Sequence, residues 1–156
     1  MYNNTTLKHS FASAILLGVL LTNKNSVRFS GFKGEFMIKR VLIAGGRDYI
    51  NYPEACEFID SCLGELKNEC EIIIVSGCCR GADMLGLRYA TEHGYQTEKF
   101  PADWETLGKS AGPIRNREMA KRSDIVICFW DGTSRGTKSM IEFAKKLQKT
   151  VYIKSI

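Results

Sequence analysis

Val41-Leu42-Ile43-Ala44-Gly45-Gly46-Arg47-Asp48 decides the fold. A short apolar strand that runs into two glycines is how α/β proteins bring main-chain amides close to a phosphate. A side chain at that turn would block the approach, and glycine reaches positive φ at little cost. The pattern recurs twice. Ile72-Ile73-Ile74-Val75 enters Ser76-Gly77, and Ile125-Val126-Ile127-Cys128-Phe129 leads to Asp131-Gly132. Three strands ending in glycine-containing polar turns point to one crevice at the carboxyl ends of a parallel sheet, where such folds bind ligands.

The hydrophobic spacing between these turns supplies the remaining elements. Ile38 to Ala44 reads as the first strand. Ala55, Phe58, Ile59, Cys62, Leu63 and Leu66 recur at helical spacing, predicting a helix over Tyr52 to Leu66 with Asn51 as its cap and Pro53 in its first turn. Glu71 to Val75 is a strand buried on both faces. Gly81 to His93 is a helix with Met84, Leu85, Leu87 and Ala90 inward, ended by Gly94 in the left-handed conformation. Tyr95 to Phe100 is a polar strand near an edge, Gly112 to Arg122 a helix and Asp124 to Trp130 a strand. Ser134 to Gln148 is a helix with Met140, Ile141, Ala144 and Leu147 on one side, and Thr150 to Ile153 closes the sheet. Alternating strands and helices select an α/β, Rossmann-like three-layer sandwich with a mostly parallel sheet of about five strands.

Composition narrows the function. With 156 residues, 44% hydrophobic and 25% charged, the chain has the makeup of one globular domain with a real core. Residues 1–36 hold Lys8, Lys24, Arg28 and Lys33 against Glu35, so this stretch carries +3 of the net +5 and leaves +2 for the rest. That small excess argues against nucleic acid as a partner. Phe11 to Leu21 is an apolar run of eleven residues, too short to span a membrane, and no small-x-small cleavage site follows it. Residues 1–36 therefore read as an extension outside the fold, and residues 37–156 as the domain, with Met37 a natural start. The six cysteines form no Cys-x-x-Cys pair and neither His9 nor His93 stands at ligand spacing from them. This argues against a zinc site and fits reduced thiols in a cytoplasmic protein, with no metal and no cofactor expected.

Ser76-Gly77-Cys78-Cys79-Arg80-Gly81-Ala82-Asp83 is the turn most like a phosphate cradle, with Arg80 able to add a charge-assisted bond. It lacks the Gly-Lys-Ser/Thr of a Walker loop. A plain tight turn, with Asp83 stabilising the helix start, is the alternative. Asp131-Gly132-Thr133-Ser134-Arg135-Gly136-Thr137 offers hydroxyls and amides at a helix start. In Phe100-Pro101-Ala102-Asp103-Trp104 an aromatic face and a carboxylate can approach a base or ribose, with core or loop packing the commoner role for a tryptophan such as Trp104, and Arg115 and Asn116 can reach a phosphate or carbonyl. Arg47 and Asp48 complete the first turn, either as ligand contacts or as a salt bridge fixing the loop.

These motifs, with Ala111-Gly112-Pro113-x-Arg115-Asn116-x-x-Met119 and Ser134-x-Gly136-Thr137, resemble the YspA-type branch of the SLOG superfamily, over Lys39 to the C-terminus. That superfamily is Rossmann-like and related to the lonely-guy phosphoribohydrolases and to DprA. The resemblance implies a pocket for a nucleotide or nucleotide-derived ligand, such as ADP-ribose or an NAD-related molecule. The lonely-guy enzymes carry Pro-Gly-Gly-x-Gly-Thr-x-x-Glu. Here Gly136-Thr137 match, but Met140 takes the glutamate's place, and Glu142 lies about 200° around the helix from it. The missing glutamate favours a binding module that senses a nucleotide-derived molecule. An N-glycosidase or phosphoribohydrolase using Asp48, Asp83 or Asp103 as acid or base, with Arg115, is the enzymatic alternative. DprA-like single-stranded DNA binding is a third. A homodimer through the helices is a family-level expectation.

Overall fold

The computed structural model describes residues 19–21, 26–29 and 36–156. The chain divides into two compact units, Met1–Ile38 and Lys39–Ile156. In the first, β1 (Val19–Leu21) pairs antiparallel with β2 (Ser26–Phe29), and Ser26 of β2 stands opposite Met37. The apolar run from Phe11 lies outside the described residues apart from its last three. The reading of residues 1–36 as an extension likewise concerns mostly residues outside the described set. Among the described residues, no helix is long and apolar enough to cross a membrane.

The second unit holds a five-stranded parallel sheet. Its strands are β3 (Phe36–Gly45, entering the unit at Lys39), β4 (Cys70–Ser76), β5 (Gln96–Lys99), β6 (Ile125–Trp130) and β7 (Thr150–Ser155), in the order β7-β6-β3-β4-β5. Val41 pairs with Ile125, Ile73 with Gln96, and Ile125 with Thr150. The central strand is apolar on both faces because both are covered. Val41 and Ile43 pack under α1 (Tyr52–Leu63) and α3 (Ala82–His93). Leu42 and Ala44 pack under α5 (Ala111–Arg122) and α6 (Arg135–Lys146). The predicted three-layer arrangement is therefore the one found.

The chain runs from β3 outward to β4 and β5, then returns to the other side of β3 for β6 and β7. The strand order reverses between β3 and β6. In open α/β sheets a crevice opens outside the carboxyl ends of the strands at such a point.

Three local readings need correction. The first helix stops at Leu63 rather than Leu66, because Gly64 takes φ +45° and its amide closes onto Asp60; α2 (Leu66–Glu69) is a separate turn. Met84 faces outward, half exposed, while Leu85 and Leu87 are only half-buried. The inward stripe of α3 is Ala82, Gly86, Tyr89 and Ala90, because the helix sits so close to β3 that a Cβ on Gly86 would stand 2.8 Å from the Cβ of Ile43. Leu147 falls beyond the end of α6 and is exposed. A short helix, α4 (Trp104–Leu107), and a 3-10 turn, Gly108–Ser110, were not foreseen. The polar β5 lies at the sheet edge, as its composition indicates.

Candidate functional site

The first turn is built by close approach. The Gly46 amide donates to the Phe129 carbonyl at 3.0 Å, and a Cβ on Gly45 would come within 2.9 Å of those of Ala82 and Phe129. Tyr49 stacks on Phe129 with centroids 4.9 Å apart. Asp48 pairs with Arg80 at 2.9 Å, but both side chains are mostly in water, so the pair ties two loops together with little energy.

The turn after β4 spends its amides inside the protein. Buried Ser76 donates its hydroxyl to the Asp83 carbonyl and accepts from the Cys78 amide, each at 3.2 Å. The Cys79 amide donates to Asp83 Oδ2 at 3.3 Å, and the Ala82 amide to the Gly46 carbonyl at 3.2 Å. Gly81 takes φ +78° and lies directly on the main chain of Gly46 and Arg47, where any side chain would overlap main-chain atoms. Of the two sequence readings, an anion cradle and a tight turn with Asp83 stabilising the helix start, the geometry resembles the second: the turn wraps around the Asp83 carboxylate. Burial pushes that carboxyl up to about 6, against the opposing pull of the Cys79 amide and the Arg115 charge.

Arg115 reaches this turn from α5. Its guanidinium donates to the carbonyls of Gly77 and Phe100 and touches Cys79 Sγ at 3.5 Å. Its Nε donates to Asn116 Oδ1, and Asn116 Nδ2 donates to the Gly136 carbonyl at 3.2 Å, fixing α5 against the start of α6.

After β6, Asp131 Oδ1 accepts the amides of Thr133 at 2.9 Å and Ser134 at 2.7 Å, with Gly132 at φ +79° between them. These amides, Ser134's first, hold the Asp131 carboxyl below its ordinary range. Ser134 caps α6, its hydroxyl accepting from the Thr137 amide and sharing a 3.0 Å bond with the Thr137 hydroxyl. The amides of Arg135 and Gly136 belong to the first turn of a twelve-residue helix, where no intrahelical carbonyl can reach them. The positive end of the helix dipole adds to them.

These turns enclose one cleft of about 610 Å³ at the reversal of strand order. That is the size range of small-molecule sites. Gly45, Gly46, Arg47 and Asp48 line one side, and Arg115 and Asn116 another. Asp131, Ser134, Gly136 and Thr137 form the third side, and Asp83 the floor. Seven residues named from the sequence lie outside the lining. Ser76, Gly77, Gly81 and Gly132 shape the turns. Arg80 pairs with Asp48. Asp103 is exposed and caps α4, accepting the Thr106 amide at 3.0 Å, which lowers its carboxyl pKa. Trp104 is half exposed. Of the residues considered for catalysis, Asp83 and Arg115 come together in the cleft, Asp48 stands at its rim and Asp103 is apart.

Tyr49, Cys79, Met119, Met140 and Ile156 also line the cleft. Met140 carried a signal, since it occupies the lonely-guy glutamate's place; it is buried in the cleft wall, while Glu142 is exposed. Among the described residues, no cluster of three His, Cys, Asp or Glu could hold a metal ion.

Residues 39–106 match the YspA, cpYpsA-related SLOG family. The chain is also 34% identical over 116 residues to Gene 61 protein of Mycobacterium phage D29, covering 70% of this chain and 90% of that protein. The chain belongs to the YspA-related SLOG family. Membership supports nucleotide-related binding in the broad sense. Solved structures with this SLOG chain's fold include DNA processing protein A from Streptococcus pneumoniae, with TM-score 0.57 and 20% identity over 74% of this chain and 49% of that one. The corresponding protein from Helicobacter pylori, described for its single-stranded DNA binding mode, gives 0.53 and 23% over 74% and 64%. TM1055 gives 0.54 and 19% over 74% and 72%. At these identities the likeness is one of fold, and this SLOG chain spans about half to just under two thirds of the DprA chains.

Proposed function

We propose that the cleft binds a nucleotide-derived small molecule, of the ADP-ribose or NAD-related class, without cleaving it. The observation that carries this reading is the convergence, at the reversal of strand order, of the α6 N-terminus with its Ser134 and Thr137 hydroxyls, the Gly45-Gly46 turn and the Arg115 guanidinium. Amides and hydroxyls at a helix start suit a phosphate, and the glycines let a ligand lie against the main chain. The α6 side supplies the anion contacts, because after β4 the Cys78 and Cys79 amides are engaged by Ser76 and Asp83.

Binding without turnover fits the carboxylates. Asp48 stands in water at the rim, Asp103 caps α4 outside the cleft, and the glutamate of the lonely-guy pattern is replaced by buried Met140. One observation favours hydrolysis instead: Asp83 is a buried carboxyl in the cleft, with a pKa near working pH and a cation beside it. It would then protonate the departing base while water attacks the anomeric carbon.

The test is a thermal-shift screen of the full chain against AMP, ADP-ribose and NAD, followed by mass spectrometry of each mixture. A shift with intact ligand supports the binding reading. A shift with free base and sugar phosphate replaces it with hydrolysis. Steeply salt-dependent binding to single-stranded DNA, with no shift for any nucleotide, would make the DNA-binding relative the better guide.

A further inference from the structure

We infer that Trp104 is the stacking platform for the ligand's base, an aromatic subsite outside the cleft proper; this rests on the nucleotide reading of the cleft. Gly112, Arg115, Asn116 and Met119 stand at i, i+3, i+4 and i+7 on α5 and so share one face of that helix. The last three line the cleft. Gly112 continues the same stripe toward the helix start, at the carboxyl edge of the sheet, and the indole of Trp104 is seated on it. The Trp104 ring lies 3.3 Å from where a Gly112 Cβ would stand, so glycine lets the ring sit a few tenths of an ångström closer than any side chain would.

The ring is held yet open. α4 is capped in front by Asp103 and closed behind by Gly108, whose amide turns back to the Trp104 carbonyl. Even so, 51% of Trp104 is exposed. A large aromatic half in water, resting on Gly112 one helical turn before the cleft-lining Arg115, matches what a purine or pyrimidine face requires. A ligand with its phosphate at the α6 N-terminus would then have its sugar near Arg115 and Asn116 and its base over Trp104.

The experiment is calorimetric titration of the full chain with AMP and, separately, with ribose 5-phosphate, which lacks the base. Trp104→Ala should weaken AMP binding by about tenfold or more, leave ribose 5-phosphate unchanged, and be largely rescued in Trp104→Phe. Gly112→Val, which keeps the indole but drives it off its seat, should weaken AMP selectively as well. Equal AMP affinity in wild type and Trp104→Ala, with wild type binding both compounds, would overturn the platform and leave the cleft reading standing. Equal loss of both compounds in Trp104→Ala would make the tryptophan a support for α5 and overturn it too. Wild type binding neither compound would overturn the cleft reading and the platform with it.

Discussion

Arg115, in the second turn of α5, donates to the main-chain carbonyl of Gly77 in the turn after β4. A Cβ on Gly77 would overlap the guanidinium and stand 2.9 Å from the Asp83 carboxylate. Glycine is needed there so that Arg115 can close the turn. Gly77→Val and Arg115→Ala should therefore each weaken AMP binding, by about tenfold, and the double variant should lose little more than either single one, as coupled neighbours do. Calorimetry on the three variants checks this. Additive losses would show that the two residues act separately.

Asp83 makes stability depend on pH with an unusual sign. Its carboxyl rises from an ordinary 3.8 to about 6 on folding, because burial penalises the charge. The folded state then holds the proton over a range where the unfolded chain has released it. Asp83's contribution is fully present below about pH 4 and is lost as pH rises through 6, amounting to about 3 kcal/mol. Asp83→Asn stays neutral throughout. Its melting temperature relative to wild type should rise between pH 4 and 6.5, and a flat or falling difference would count against the buried-charge account.

Gly81 and Gly94 both have positive φ, but their surroundings differ. Gly81 presses on the main chain of Gly46 and Arg47, whereas nothing lies within 4 Å of a Cβ on Gly94. Gly94→Ala should cost about 1 kcal/mol, the strain of a left-handed residue. Gly81→Ala should cost the upper part of about 1–3 kcal/mol for strain, plus displacement of the first turn. Urea denaturation of the pair gives the comparison, and only Gly81→Ala should lose AMP binding.

At the start of α6 the two hydroxyls have separable duties. Ser134→Ala removes the cap and should cost about 1 kcal/mol of stability. Thr137 is buried at the cleft wall, and its hydroxyl bonds the Ser134 hydroxyl rather than the main chain. Thr137→Val, nearly the same shape, should keep the cap bond from its amide and still weaken AMP by about fivefold, one lost hydrogen bond. Chemical denaturation and calorimetry together distinguish the two effects.

The architecture was legible because its signals are periodic. Val41 to Ala44, Ile72 to Val75 and Ile125 to Phe129 are continuous apolar runs that suit strands covered on both faces, and the glycine turns mark their carboxyl ends. The face of α3 was misread because periodicity ranks side chains by hydrophobicity. Gly86 is inward through closeness to Ile43, which no hydropathy pattern records. The turn after β4 admits two sequence readings, an anion cradle and a tight turn held by Asp83, and residue types alone do not choose between them. Residue types showed donors at Cys78, Cys79 and Ala82, but the acceptors that claim them, Ser76 Oγ, Asp83 Oδ2 and the Gly46 carbonyl, are matched only by the folded geometry. Arg115 and Asn116 were identifiable from their motif. Cys79 and Met119 were not singled out as lining residues, since their place in the wall depends on how α3 and α5 lean on the sheet.

The reversal of strand order has a consequence for how occupancy is felt. Residues 45–48, residue 83, residues 115–119 and residues 131–140 are brought together only when β6 has docked beside β3, so an incompletely assembled sheet has no receptor to offer. A small molecule held there bridges the turns after β3 and β6 and must be released before those two strands can part. Saturation at a hundredfold over Kd would raise the unfolding free energy of the whole cooperative unit by about 2.7 kcal/mol, so resistance to proteolysis in a lysate would act as a gauge of ligand concentration.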